Sequence, residues 1–267
     1  MADLSLKSFT AIDLVADLQT YIDALSAFDA IAELQELKQL AARRVAADMR
    51  ILDVGCGFGL ETLRLARLTG PGGAVSGIDK SAGFIAEARR RAQQAGLSIG
   101  FEVGDADALP YPDRSFDHAR AERLLIYLSE PSRAVAEMRR VVRPGGSLAL
   151  IEPDIGTTTV NLADRALVRR VMAHEADTAV AQSWLPGPLA GMLTDLGLRD
   201  VSVATRVLIF PPDLAAAYFA SAGTSAHHDG AISDGDLAGW MEGIGELHRK
   251  ARLFATIGYF LFTAAVR

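Results

Sequence analysis

Residues 50–59 read RILDVGCGFG, a short apolar run that ends in glycines at positions 55, 57 and 59. A run of this kind suits a strand buried on both faces, and the glycines suit a tight turn after it. Leu60 to Leu68 then has helical character and stops at Gly70-Pro71-Gly72-Gly73. Gly55, Gly57 and Gly59 therefore stand between a strand and a helix, where glycine lets backbone N–H groups approach a ligand closely. A dinucleotide fingerprint, G-x-G-x-x-G, fails because the position three after Gly57 is Leu60. A phosphate loop fails because its lysine is missing. A glycine turn with no ligand is the remaining alternative at this point.

Outward from this loop the chain alternates. Downstream, 74–79 (AVSGID) reads as a strand, and Ser81 to Ala95 as a helix closed by Gly96. Residues 98–106 (SIGFEVGDA) read as a strand, followed by a turn with two prolines. Residues 116–125 (FDHARAERLL) read as a strand that leaves its sheet near Glu122. Pro131 to Val142 is a helix, with Pro144-Gly145-Gly146 after it, and 147–153 (SLALIEP) is a fifth strand. Strands alternating with helices at this spacing predict an α/β protein, a parallel sheet covered on both faces.

The flanks are less regular. Residues 1–49 read as helical; Ser26 and Asp29 suggest a helix start, and Ile31, Leu34, Leu37, Ala41 and Val45 recur at helical spacing. After Pro153, residues 161–181 are helical in pattern and carry Arg165, Arg169 and Arg170, read as a solvated face. Pro186–Leu196 is a helix ending at Gly197, Val201–Phe210 a strand, and Pro211-Pro212-Asp213 a helix start. Residues 221–236 read as a polar loop, Asp236–Arg252 as a helix and Phe254–Val266 as a final strand. With no repeat or linker, the expectation is one domain with helical insertions.

Composition narrows the function. The chain has 267 residues, 27 Lys and Arg against 33 Asp and Glu, and one cysteine, Cys56. A single cysteine excludes an internal disulfide and a zinc site of several thiolates, and no metal is expected. The net charge of −6 argues against electrostatic binding of nucleic acid. Mean hydropathy is +0.19, high for a chain without a spanning segment. The longest apolar stretch, Leu253–Val266, is shorter than the roughly 20 residues needed to cross a bilayer. The first residues show no basic-then-apolar leader, so a cytoplasmic protein without membrane insertion is expected.

Asp53, Asp79 and Asp105 close three successive predicted strands, and strand ends in such sheets converge on one crevice. Their charge suits a cationic ligand and repels a pyrophosphate. With these acids in place, LDVGCGFG, GID, GDADALPYPDRSFD, EMRRVVRPGG and LALIEPD together resemble the class I S-adenosylmethionine (AdoMet)-dependent methyltransferases. More narrowly they resemble the ubiquinone/menaquinone-biosynthesis type and its small-molecule relatives, closely over residues 48–154.

The resemblance implies a Rossmann-like, seven-stranded, mostly parallel sheet whose last strand is antiparallel, with Val201–Phe210 and Phe254–Val266 as its last two strands. It implies a single domain: 1–48 a helical lid, 49–154 the AdoMet-binding core, 155–198 and 211–252 insertions shaping the substrate pocket, and 199–210 and 253–267 the last two strands. It places Gly55, Gly57 and Gly59 under the methionine part of AdoMet, with Asp53 behind them holding the loop or the amino group. Asp79 takes the ribose hydroxyls, with Lys80 beside the adenine; Asp105 accepts from the adenine amino group and Ala106 offers its N–H. Glu122 lies near the methionine and the transferred methyl.

Other residues are open between function and structure. His174, in an insertion, is a candidate base, as are Asp154 and Glu122 at strand ends; Glu152 shares the end of strand five with Asp154. Tyr21, Tyr127 and Trp184 are candidate substrate-binding aromatics. His118 reads as a sheet histidine satisfied by neighbours, His227-His228 as solvated, and Cys56 as a small residue packed under the cofactor. The expected function is methyl transfer from AdoMet to a small, mostly apolar metabolite such as a polyketide, terpenoid or quinone. The alternatives are a cyclisation or rearrangement on the same fold, or AdoMet binding without catalysis. A small-molecule partner is expected, and a homodimer is allowed.

Overall fold

A computed structural model describes residues 18–267. The expected helical character of residues 1–17 lies outside the described residues. The elements run α1 (Leu18–Asp29), α2 (Ala32–Ala42), β1 (Arg50–Val54), α3 (Leu60–Thr69), β2 (Ala74–Asp79), α4 (Ala82–Gln94), β3 (Gly100–Val103) and β4 (Phe116–Glu122). A short 3-10 helix, Leu125–Tyr127, leads to α5 (Pro131–Val141), β5 (Val142–Val160), α6 (Arg165–Thr178), α7 (Pro186–Asp195), β6 (Arg199–Ile209), α8 (Pro212–His228), α9 (Asp234–Arg249) and β7 (Ala255–Ala265). The strands form one sheet in the order β3-β2-β1-β4-β5-β7-β6, with six strands parallel and one antiparallel, as the resemblance implied.

The chain divides into two compact units. One comprises Glu36–Glu152, Leu185–Thr205 and Phe260–Arg267. Its centre is β1, where Ile51, Leu52 and Val54 are fully buried, flanked in parallel by β2 and β4. The strand order reverses at β1 and β4, and a reversal of this kind opens a crevice at the carboxyl ends of the strands. The glycine loop leaves β1 at that end. Ser81, read from the sequence as the first helical residue, is instead the cap of α4 and accepts from the Phe84 N–H at 3.1 Å.

The other unit comprises the residues up to Gln35, Pro153–Trp184 and Arg206–Tyr259. Its core is aromatic. Phe210 stacks on Tyr218 at 5.5 Å between centroids and meets Phe28 and Phe219 edge-on. Trp240 on α9 is fully buried and donates from Nε1 to the Phe219 carbonyl at 2.6 Å. Gly223 permits this approach, because a Cβ there would overlap the Trp240 ring. This core takes up part of the positive hydropathy. Among the described residues, no helix is long and apolar enough to cross a membrane.

Three sequence expectations are corrected. Ser26 does not start a helix: it lies inside α1, its hydroxyl donating back to the Ile22 carbonyl at 2.6 Å. The fifth strand does not begin at Ser147 or stop at Pro153. It runs from Val142 through the proline and glycines to Val160, and Gly146 is needed because a Cβ would collide with the Asp117 carbonyl on β4. The loop expected over 221–236 is mostly helix. Tyr218, Phe219, Ala222, Gly223 and Ala226 are buried at helical spacing, which outweighs the polar composition and carries α8 to His228. The next helix starts at a capping box between Ser233 and Asp236.

Candidate functional site

The loop after β1 is built from three left-handed glycines, Gly55, Gly57 and Gly59, with φ of 69°, 52° and 83°. Two of them are spacers. A Cβ at Gly55 would meet the Leu124 side chain at 3.0 Å, and one at Gly59 would meet the Ala88 Cβ at 3.0 Å. Gly57 differs, since a Cβ there would find nothing within 4 Å. The loop is tied to β2: Gly55 and Cys56 donate to the Ile78 carbonyl, and the Gly57 N–H donates to Asp79 Oδ2 at 2.8 Å. Asp79 Oδ1 accepts from the Ser81 N–H at 2.9 Å. One half-buried carboxylate thus orders both the glycine loop and the start of α4, at the carboxyl end of β2. Asp105 stands exposed beyond β3 and accepts from the Asp107 N–H, with Ala106 buried behind it. Lys80 is exposed.

Asp53 plays a different part. It is 1% exposed, and its oxygens accept from Arg120 Nη1 at 2.9 Å and Thr62 Oγ1 at 2.6 Å. Both oxygens are engaged within the protein, by β4 and by the first turn of α3. Arg120 continues to Glu122 Oε2 at 2.6 Å, which also takes Lys38 Nζ at 3.1 Å; Lys38 lies 3.8 Å from Glu61, itself paired with Arg64. The chain of ion pairs runs from α2 through β4 and β1 to the first turn of α3, on both sides of the glycine loop. Burial pushes the Glu122 carboxyl up, but Lys38 and Arg120 pull it down to about 2, so it is ionised. Its Oε1 is buried with no hydrogen-bond partner, and Arg123 Nε is 3.7 Å away.

Sequence reasoning missed Lys38, Arg120, Glu61 and Thr62. Two signals were available. Lys38 stands four after Leu34 on the buried stripe of α2, and Arg120 stands between Ala119 and Ala121 in β4.

The structure gathers Asp53, Gly55, Gly57, Gly59, Asp79, Lys80, Asp105, Ala106, Glu122 and Tyr127 in the unit that holds β1. Burial drives the Tyr127 phenol well above its ordinary range. Tyr21, Asp154, His174 and Trp184 belong to the other unit. Tyr21 is buried on α1. Asp154 accepts from the Gly156 N–H at 3.0 Å, and burial raises its pKa. His174 Nε2 lies 3.2 Å from Asp229 and 3.3 Å from Thr178 Oγ1. Trp184 is 56% exposed and covers Gly156, where a Cβ would overlap its ring.

The remaining candidates have structural partners. His118 is fully buried, pairs with Ser147 Oγ at 2.8 Å, and is driven by burial to a pKa of about 4. Burial also pushes the Cys56 thiol well up, away from the reactive thiolate. His227 and His228 end α8 paired with Asp234 and Asp229, and Arg170 pairs with Asp236.

Chemically, the crevice side of this unit offers open space at Gly57, carboxylate acceptors at strand ends and an unpartnered buried carboxylate oxygen. Such acceptors fit a nucleoside bearing a cationic amino acid tail. Residues 51–146 match the methyltransferase domain family. This core is a methyltransferase domain of the class I AdoMet-dependent kind, whose cofactor is AdoMet.

Its relatives are of several kinds. An uncharacterized 37.1 kDa protein in transposon TN4556 of Streptomyces fradiae is 34% identical over 79% of this chain and 60% of its own length. Methyltransferase GfsG of Streptomyces halstedii is 39% identical over 48% of this chain and 47% of its own length. The chain therefore spans about half the length of the curated relatives it matches, or a little more. Among solved structures, the [4+2]-cyclase SpnF aligns with a TM-score of 0.54 at 29% identity, covering 87% of this chain and 80% of that one.

Proposed function

We propose that this protein transfers the methyl group of AdoMet to a small, mostly apolar metabolite of the polyketide, terpenoid or quinone kind. The observation that carries the reading is the Gly57 amide, latched to Asp79 while its α-carbon faces open space. In this reading Gly55, Gly57 and Gly59 lie under the methionine part and Asp79 takes the ribose hydroxyls. Asp105 and Ala106 meet the adenine, Lys80 lies beside it, and the free Oε1 of Glu122 takes the ammonium. AdoMet supplies a methyl sulfonium with a neutral thioether leaving group. The protein contributes alignment and exclusion of water, effects worth about 7–11 kcal/mol in intramolecular reactions. His174, Asp154 and Glu122 stay the sequence candidates for proton transfer, and Tyr21, Tyr127 and Trp184 for substrate contact. GfsG, a methyltransferase by name, supports the class of reaction. The acidic balance supports a partner other than nucleic acid.

The test is incubation of the purified protein with AdoMet and a panel of polyketide, terpenoid and quinone acceptors. Formation of S-adenosylhomocysteine together with a product heavier by one methyl group is expected. The SpnF neighbour favours a second reading, a cyclisation, and predicts an isomer of the substrate with no S-adenosylhomocysteine.

Gly57 gives a separate prediction. Gly57→Ala places a side chain in the open space at a left-handed backbone, a strain of about 1–2 kcal/mol. AdoMet affinity by calorimetry should fall about tenfold or more, with only a small drop in melting temperature. Full affinity in this variant would remove Gly57 from the cofactor site.

A further inference from the structure

Glu152 is the last residue of its unit's stretch of β5 and is 0% exposed. Its Oε1 accepts from the Leu125 N–H at 2.8 Å and the Leu124 N–H at 3.2 Å, both in the turn that follows β4. Its Oε2 is buried and has no hydrogen-bond partner. One carboxyl oxygen is thus fixed in place while the other is held dry and unpaired. Glu152 lies inside β5, directly after Ile151, whose Cα pairs with that of Glu122 at the carboxyl end of β4, and that end opens on the crevice side of the sheet. The titratable groups around it are Glu122 on β4 and Tyr127 on the turn, with Arg123 beside Tyr127.

We propose that Glu152 is a catalytic residue of this site, a neutral acid at rest that ionises when a cationic cofactor is loaded and then accepts a proton at Oε2. The proposal rests on the methyl-transfer reading above. Burial first, and the charge of Glu122 after it, push the Glu152 carboxyl up to about 8, against the pull of the turn's amides. At neutral pH it therefore holds its proton. A positive charge brought to the neighbouring strand ends favours the carboxylate and expels that proton to solvent. The carboxylate so formed stands in a dry site as a base. A hydroxyl acceptor then gives its proton to Oε2, keeping the O–H electron pair for its new bond to carbon, while the C–S pair goes to sulfur. Glu152 returns to the neutral acid, and the site is reset.

Proton release on binding tests this without any acceptor. Calorimetric titrations at pH 7 in buffers of different ionisation enthalpy count the protons released by AdoMet and by S-adenosylhomocysteine, which lacks the sulfonium charge. AdoMet should release about half a proton or more in excess of S-adenosylhomocysteine. Glu152→Gln, which keeps the oxygen that accepts from the turn, should abolish the excess. Infrared difference spectra of the wild type provide a second readout. A protonated-carboxyl C=O band should vanish on adding AdoMet and persist with S-adenosylhomocysteine. Equal proton release by the two ligands, or an excess that survives in Glu152→Gln, overturns the proposal and leaves the cofactor site standing. Failure of either ligand to bind overturns both.

Discussion

Replacing Asp79 with alanine is expected to weaken AdoMet binding by roughly 100-fold or more. The carboxylate accepts from Gly57 N at 2.8 Å and from Ser81 N at 2.9 Å, so its removal frees the glycine loop and the start of α4 together. Charge-assisted hydrogen bonds contribute about 1.5–3 kcal/mol each, and about 3 kcal/mol in total corresponds to roughly two decades in affinity. The ribose hydroxyls that the proposed function assigns to Asp79 would also lose their acceptor. Asp79→Asn keeps one acceptor oxygen and should fall between the two. Calorimetry measures the effect, and an alanine variant with wild-type affinity would sink both the latch and the cofactor placement.

Arg120→Met is expected to lower stability by about 3–5 kcal/mol, the usual cost of stripping one partner from a buried ion pair. Arg120 is 4% exposed and bonds Asp53 at 2.9 Å and Glu122 at 2.6 Å; the substitution leaves Asp53 with only the Thr62 hydroxyl. Adding Asp53→Asn removes the stranded charge and should recover part of the loss. Urea unfolding of the single and double variants gives both numbers. A single-variant loss below about 1 kcal/mol would mean that the network is not holding these elements together. Because Asp53 precedes Gly55 by two residues and Thr62 lies in the first turn of α3, the variant should also bind AdoMet more weakly.

Much of the fold around the glycine loop was legible before any coordinates. RILDVGCGFG placed a buried strand, a glycine turn and a helix in order, because each follows from local chemistry: apolar runs, glycine's access to positive φ, helical spacing. Asp79 was placed at the end of the second strand, where β2 does end, but its bond to Gly57 did not show in the sequence. The Asp53 carboxylate could be read as facing a ligand or holding the loop; its bond to Arg120, 67 residues away, is one that no local pattern shows. Polar composition over 221–228 masked a helix whose buried face is set by Trp240 and its neighbours.

The sequence by itself determined the order of strands and helices, the glycine loop, the acids at strand ends and hence the class of fold, since all are short-range patterns. Only the tertiary structure decided what each charged side chain is for. The ion pairs of Lys38, Arg120 and Glu122 join distant segments, and whether an oxygen such as Glu152 Oε2 is buried and unpaired depends on everything packed around it. Partners and desolvation are properties of the assembled core, and no local pattern encodes them.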